Sequence, residues 1–390
     1  MSKFDPEKIK KLQKVDKAFK SIYLFPKNKK RREPIVNAPV NRILIIASMM
    51  IGDTIMLIPA LRVLKKKFPD ARISLLCEPV VQIILADQRL ADDFYIIKTP
   101  WLHKNDGKKQ LYQIWQSIRE ANTTKYDIAI DFRGDWRNIF LMNFIKARRK
   151  ISFNYSGGEY MLTDIVPSPD KSVKHYIDEW LYLLEYLGCK AAPEDKYPIL
   201  NLTKDSEKIL QAFIAENNLQ SKFIIGIHPG ASVAARKWDE KKYADLIINI
   251  AKTQPESVFV LFEGPGERNT VEQIKAYLNK MSINPLVVNV NLKKYIILMR
   301  VCDLIICNDS GAGHIAGALN KPSVILFGKA DPETVKPYNK NQVRLISHLS
   351  DESLSHGKMD NKDYLDTITV TEVYNEVTDL TAELQKSKGI

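Results

Sequence analysis

Short apolar runs alternate with helix-length periodic patterns, and this alternation happens twice along the 390-residue chain. In the first series, residues 42–47, 72–77 and 126–131 read as strands and 150–154 as extended. Residues 53–67, 109–121, 135–146 and 176–187 carry helical periodicity, the last stopped by Gly188. The strand runs are short, largely apolar and rich in β-branched Ile. Strands of that kind belong in a parallel sheet covered by helices on both sides. Residues 193–202 read as a linker, after which the pattern restarts. Strands are expected over 223–228, 258–262, 286–290, 303–307 and 323–327, and helices over 206–216, 240–252, 267–280 and 292–301. The fold class is therefore α/β, with two doubly wound parallel-sheet domains facing across a cleft. The expected division is a basic extension (1–40), an N-terminal Rossmann-like domain (41–200) and a C-terminal Rossmann-like domain (201–345). A closing segment (346–390) with a final helix over 371–385 is expected to pack back toward the N-terminal domain.

Composition narrows the class. Apolar residues make up 45%, enough for two cores. Cys77, Cys189, Cys302 and Cys307 are scattered with no C-x-x-C pair, which argues against a disulfide framework and a zinc site. No metal ligand set is expected. No apolar run approaches the ~20 residues of a membrane span, and the N-terminus lacks a secretory apolar region. A cytoplasmic location is expected. The net charge of +12 is uneven: residues 1–40 hold ten Lys and two Arg against four acids, which is +8, leaving +4 for the other 350 residues. Phe4, Ile9, Leu12, Phe19, Ile22, Tyr23, Leu24 and Phe25 interleave with these lysines. A basic amphipathic segment suits an anionic membrane surface, hence a peripheral position at the inner face of the inner membrane. A solvated arm is the alternative, and nucleic acid is not an expected partner.

In open parallel sheets, ligands bind beyond the carboxyl ends of strands, so the strand-to-helix turns carry the candidates. Asn308-Asp309-Ser310-Gly311-Ala312-Gly313-His314 links a strand to a short small-residue helix. A helix start presents unsatisfied N–H donors and a partial positive charge, which suits phosphate, although Asp309 or Ser310 can equally be a structural cap. Gly52-Asp53 forms the first turn of the first series. Asp53 either caps its helix or acts as a general base for an incoming hydroxyl. In Ile227-His228-Pro229-Gly230-Ala231-Ser232 and Arg236-Lys237-Trp238, Ser232 and loop amides can hold phosphate oxygens while Arg236 or Lys237 neutralises a diphosphate. A structural turn with a solvated basic pair is the plain reading. In Glu263-Gly264-Pro265-Gly266-Glu267, a carboxylate can receive ribose hydroxyls or sit favourably in a first helical turn. Arg133 and Arg137, after the strand ending at Asp131, can line a pocket for an acidic acceptor, as can the run Arg148-Arg149-Lys150, which reads equally as a solvated face.

Three ordered blocks give this chain its resemblance to glycosyltransferase family 9, the heptosyltransferases of lipopolysaccharide core assembly. They are Ile43–Ile46 through Gly52-Asp53 into Ile58-Pro59-Ala60-Leu61-Arg62; Ile227–Ser232 with Arg236-Lys237-Trp238; and Asn308–His314 through Lys321-Pro322 and Phe327-Gly328. The resemblance implies a GT-B fold and a metal-independent, inverting transfer from a nucleotide-diphospho-sugar, typically ADP-heptose, to a lipid-linked saccharide, with no other cofactor. It implies Asp53 as general base. Asp309, Ser310, Gly311 and His314 match the donor loop, Ser232 the phosphate loop, and Glu267 lies near the ribose-binding acid. Where the family usually has Lys-x-Trp, this chain has Arg236-Lys237-Trp238, so either cation can serve. Two other classes compete. One is a non-catalytic nucleotide-sugar-binding protein recruited to the membrane by its tail. The other, a nicotinamide-dependent oxidoreductase, is disfavoured because neither turn contains G-x-G-x-x-G.

Overall fold

The computed structural model describes residues 13–17, 39–103, 107–231, 236–328, 330–340, 343–348 and 361–388. The chain divides into two compact units, Met1–Lys196 and Tyr197–Ile390. The division falls a few residues before the expected boundary after residue 200.

The first unit contains β1 (Arg42–Ala47), β2 (Arg72–Cys77), β3 (Asp93–Ile96), β4 (Tyr126–Asp131), β5 (Ala147–Ser152) and β6 (Asp164–Ile165). All pair in parallel, in the order β3-β2-β1-β4-β5-β6. This is the doubly wound Rossmann order, whose winding reverses between β1 and β4. In β1 every residue after Arg42 is buried, as expected for a central strand with helices on both faces. Leu44, Ile46 and Ala129 of the sheet pack with Ile118, Ile139 and Met142 of the covering helices. The Ile51–Lys67 helix follows β1 with Asp53 in its first turn and Lys65, Lys66 and Lys67 in its last, so both ends complement the helix dipole.

The second unit contains β7 (Phe223–His228), β8 (Ser257–Phe262), β9 (Leu286–Val288), β10 (Leu304–Asn308), β11 (Ser323–Phe327) and β12 (Val343–Ser347). Its order, β12-β11-β10-β7-β8-β9, is the same winding read from the other edge, with the reversal between β7 and β10. The Lys204–Glu216, Glu240–Thr253 and Leu292–Met299 helices start at Thr203, Asp239 and Asn291, whose side chains each accept a first-turn N–H.

Several expectations need correction. The helix expected over 135–146 ends at Asn143, and the following Ala147–Ser152 is a strand. Arg149 is therefore neither solvated nor pocket-lining: its guanidinium pairs with Asp164 of β6, with Nε 2.8 Å from Oδ2. Lys150 donates to the Asn143 carbonyl at 2.6 Å, and burial pushes its pKa down to about 8. The final helix, Val370–Lys388, places Val373, Val377 and Leu380 in the core of the second unit beside Ile247 and Ile250. Its apolar stripe is met by the Glu240–Thr253 helix. The edge strands β3, β6 and β12 and the Pro79–Leu85 helix were not anticipated.

Candidate functional site

In the first unit, the ends of β1 and β4 meet at the winding reversal, and each carries a charged side chain there. Asp53 stands in the first turn after β1, and Arg133 two residues beyond β4. Arg133 Nη1 donates to Asp53 Oδ2 at 2.9 Å. As a helix cap Asp53 is marginal, because the Met50 N–H reaches Oδ2 only at 3.5 Å. Oδ1 accepts no hydrogen bond among the described residues. The Asp53 carboxylate, together with nearby Tyr176 and Asp135, raises the Arg133 pKa further above its ordinary value and so keeps the guanidinium charged. The pair opens on a small niche walled by Phe132, Tyr155, Tyr176, Glu179 and Trp180. Tyr155 donates its hydroxyl to Glu179, and burial raises the Tyr176 pKa to about 12. Arg137, expected to serve the same pocket as Arg133, is turned to the helix cap Asp135 through two guanidinium bonds of 2.9 and 2.5 Å. Its guanidinium carbon lies 5.2 Å from the Trp101 ring centroid.

The connection from β1 to the helix that carries Asp53 begins at Ser48, and Ser48 is held. The Trp101 indole N–H donates to Ser48 Oγ at 3.0 Å, and Thr99 Oγ1 lies 3.0 Å away. Behind them is Glu78, directly after β2 and almost fully buried. Glu78 Oε1 accepts the Thr99 N–H at 2.9 Å, and Oε2 lies 2.9 Å from His103 Nε2. Glu78 escaped the sequence reading. Its only signal is an acid closing an apolar strand, which recurs after β8 at Glu263.

The second unit has its reversal between β7 and β10. Asn308, at the end of β10, is fully buried and ties the crevice together. Its Nδ2 donates to the Pro229 carbonyl at 2.8 Å, and its Oδ1 accepts from Trp238 N at 3.2 Å and Tyr243 Oη at 3.0 Å. Asp309 follows, buried, with Arg236 Nη1 3.5 Å from its Oδ2. Burial raises the Asp309 pKa, while Arg236 and His314 oppose that shift. Ser310 then starts the Gly311–Ala318 helix in extended conformation and makes no side-chain cap. Ser310 Oγ is a buried atom without a hydrogen-bond partner among the described residues. Thr203, Asp239 and Asn291 cap their helices, whereas this start, like the one at Glu267, has no side-chain cap and leaves N–H donors that suit an anion.

Glu267 lies across the β7 loop. Its carboxylate accepts the Gly264 N–H at 2.8 Å and stands 3.7 Å from His228 Nε2. A Cβ on residue 230 would come within 1.9 Å of that carboxylate, so a larger residue there would displace Glu267 from this position. His228 is buried against Tyr295, whose hydroxyl is 3.1 Å from Nδ1. Burial is the main cause of its lowered pKa, with Glu267 acting in the opposite sense. Trp238 is fully buried, and its indole donates to the Ile368 carbonyl at 3.1 Å, which makes it a packing anchor. Ser232 lies outside the described residues. The structure thus brings Arg236, Asp309, Ser310, Gly311 and His314 to one crevice with Glu267 and His228, while in the first unit Asp53 meets Arg133 and Arg137 does not join them.

Known proteins resemble this chain in sequence and in fold. The sequence profile of glycosyltransferase family 9 (heptosyltransferase) matches residues 111–364. Lipopolysaccharide heptosyltransferase 3 of Escherichia coli is 24% identical over 340 residues, covering 84% of this chain and 96% of that protein. A crystal structure of a family 9 glycosyl transferase from Veillonella parvula superposes with a TM-score of 0.73 at 21% identity, covering 89% of this chain and 99% of that one. The Escherichia coli ADP-heptose lps heptosyltransferase II superposes at 0.68 and 20% identity, again over 89% and 99%. The two Rossmann-like units are those of a GT-B fold. With well over half of its length matched by the family profile, the chain belongs to glycosyltransferase family 9.

Proposed function

We propose that this protein is an inverting, metal-independent heptosyltransferase that moves heptose from ADP-heptose to a hydroxyl of a lipopolysaccharide core or related surface glycan. The second unit takes the donor. Its diphosphate rests on the N–H groups that open the Gly311–Ala318 helix, with Ser310 and Ser232 as further donors. Arg236 supplies the neutralising cation, with Lys237 beside it in sequence. Glu267 serves the ribose. The acceptor and the base belong to the first unit.

The observation that carries this reading is the Asp53–Arg133 pair. Arg133 occupies Oδ2 and leaves Oδ1 unbonded among the described residues. Oδ1 is then the atom that takes the acceptor's proton. The acceptor oxygen forms its bond to the anomeric carbon as the bond from that carbon to the diphosphate oxygen breaks. The electron pair leaves with the nucleotide diphosphate, where the cation and helix-start amides stabilise the developing charge. Attack opposite the leaving group inverts the anomeric centre.

Asp53→Ala should lower transfer by at least about 10²-fold, the usual contribution of a positioned general base, while ADP still binds. A thermal-shift screen of ADP-, UDP-, GDP- and dTDP-sugars comes first, since a donor at ~100 times its Kd stabilises by about 2.7 kcal/mol. Unchanged turnover in Asp53→Ala would sink the base assignment. A preference for another nucleotide would sink the donor. The acceptor places the reaction at the cytoplasmic face of a membrane, where the basic arm supplies attraction to anionic lipid.

A further inference from the structure

Of the basic N-terminal arm, residues 13–17 are described, and they lie against the first unit. In this segment Gln13, Lys14, Val15 and Lys17 are exposed and Asp16 alone is buried. A segment seated by apolar burial would show the opposite pattern, with Val15 inside and Asp16 out. A buried carboxylate needs hydrogen-bond donors to offset its lost hydration, and Asp16 has them. The Trp136 indole N–H donates to Asp16 Oδ1 at 2.7 Å, and the Gly158 N–H donates to the same oxygen at 3.0 Å. Gly157 and Gly158 have φ of +104° and +88°, and a Cβ on Gly157 would come within 2.8 Å of Asp16 Cγ. Two consecutive positive-φ glycines thus shape a turn that leaves room for the acid and points an amide at it.

The cradle is joined to the proposed base. Trp136 N donates to Ser156 Oγ at 2.6 Å, and Ser156 Oγ donates to the Gly134 carbonyl at 3.0 Å. Gly134 adjoins Arg133, which is paired with Asp53. One face of the loop after β4 therefore touches Asp53, and the other is closed by a residue more than a hundred positions away in the arm.

We propose that Asp16 is an intramolecular latch. Through it the basic arm docks on the first unit, and through Trp136 and Ser156 it steadies the loop that holds Arg133 against Asp53. Asp16 is then a positioning residue, and the arm is part of the scaffold of the first crevice as well as a surface tether. The docking stands on geometry alone, whereas the effect on catalysis rests on the function proposed above.

The test uses the full chain in three forms: parent, Asp16→Ala and Asp16→Asn. Asn keeps an acceptor oxygen at Oδ1 for both donors, and Ala removes it. Docking is read by tryptic cleavage after Lys14 and Lys17 and by hydrogen exchange over residues 131–136 and 155–158. Loss of two hydrogen bonds to a carboxylate should raise the open population, and with it cleavage, by at least about tenfold in the Ala form. The Asn form should stay close to the parent. Cleavage and exchange unaltered by Asp16→Ala overturn the latch. Positioning is read by transfer kinetics: kcat should fall several-fold in the Ala form with the donor KM unchanged, and recover in the Asn form. Equal kcat in parent and Ala form, or an Asn form no better than Ala, overturns the positioning role. A parent that transfers no sugar from any donor overturns the proposed function, and proteolysis and exchange still decide the docking.

Discussion

Asp53 and Arg133 are 80 residues apart in the chain and 2.9 Å apart in space. The sequence supplied both as candidates, one for catalysis and one for acceptor binding, but no property of either residue announces the other. Asn308 teaches the same lesson about stability. It belongs to the turn that drew attention as an anion site, yet its own side chain is spent on structure, holding Pro229, Trp238 and Tyr243. Asn308→Ala would leave those groups buried without partners and should destabilise the protein by roughly 2–4 kcal/mol, judged from the cost of stranded polar groups. A denaturation midpoint unchanged from the parent would contradict this. Asp131 makes a pH prediction. Burial pushes its pKa up to about 6 from the ordinary 3.8, against the hydrogen bonds from Asn138 and Ser152. Between those two values the native state holds a proton that the unfolded chain has released. Its stabilising contribution is therefore full below about pH 4 and declines as pH rises to about 6, by on the order of 3 kcal/mol. Stability measured against pH should lose that slope in Asp131→Asn; a slope that persists would assign it to another group.

At the scale of elements, the central strands were legible because their sequence carries its own burial. β1, β2, β4, β7, β10 and β11 are apolar runs buried on both faces, and only a covered parallel sheet accommodates such runs. Edge strands give no such signal. β3 is half-buried along its whole length, and β6 is two residues long, so each owes its conformation to the neighbour it pairs with. The final helix was legible as a helix, but its partner was not, since an amphipathic stripe says that one face is buried and not against what. Its stripe joins the second core through Leu380, so Leu380→Ala should cost about 2–5 kcal/mol, the usual range for a truncated core leucine. A thermal midpoint within a degree of the parent would place that helix elsewhere.

At the scale of the whole molecule, charge distribution and fold make separate claims. The arm over residues 1–40 holds +8 of the net +12. Among the described residues no helix is long and apolar enough to cross a membrane. Apart from residues 13–17 and 39–40 the arm lies outside the described residues, and its membrane role is a proposal from composition. Vesicles containing anionic lipid should bind the protein at low salt and release it at high salt. Changing Lys8, Lys10 and Lys11 to Gln together should weaken binding by at least about tenfold, given ~1 kcal/mol per basic residue near such a surface. Binding that ignores salt would point to apolar insertion instead. The sequence by itself determined the two α/β series, the turns proposed to carry chemistry and the family, because burial on both faces and helix-start residues are local properties written in short stretches of chain. Tertiary structure alone decided that Arg133 serves Asp53, that Arg137 serves Asp135, that the final helix belongs to the second core and that Asp16 is buried among residues far from it. Each of these is a choice among partners of equal chemical fitness, and only the winding of the sheets brings one of them within hydrogen-bonding distance.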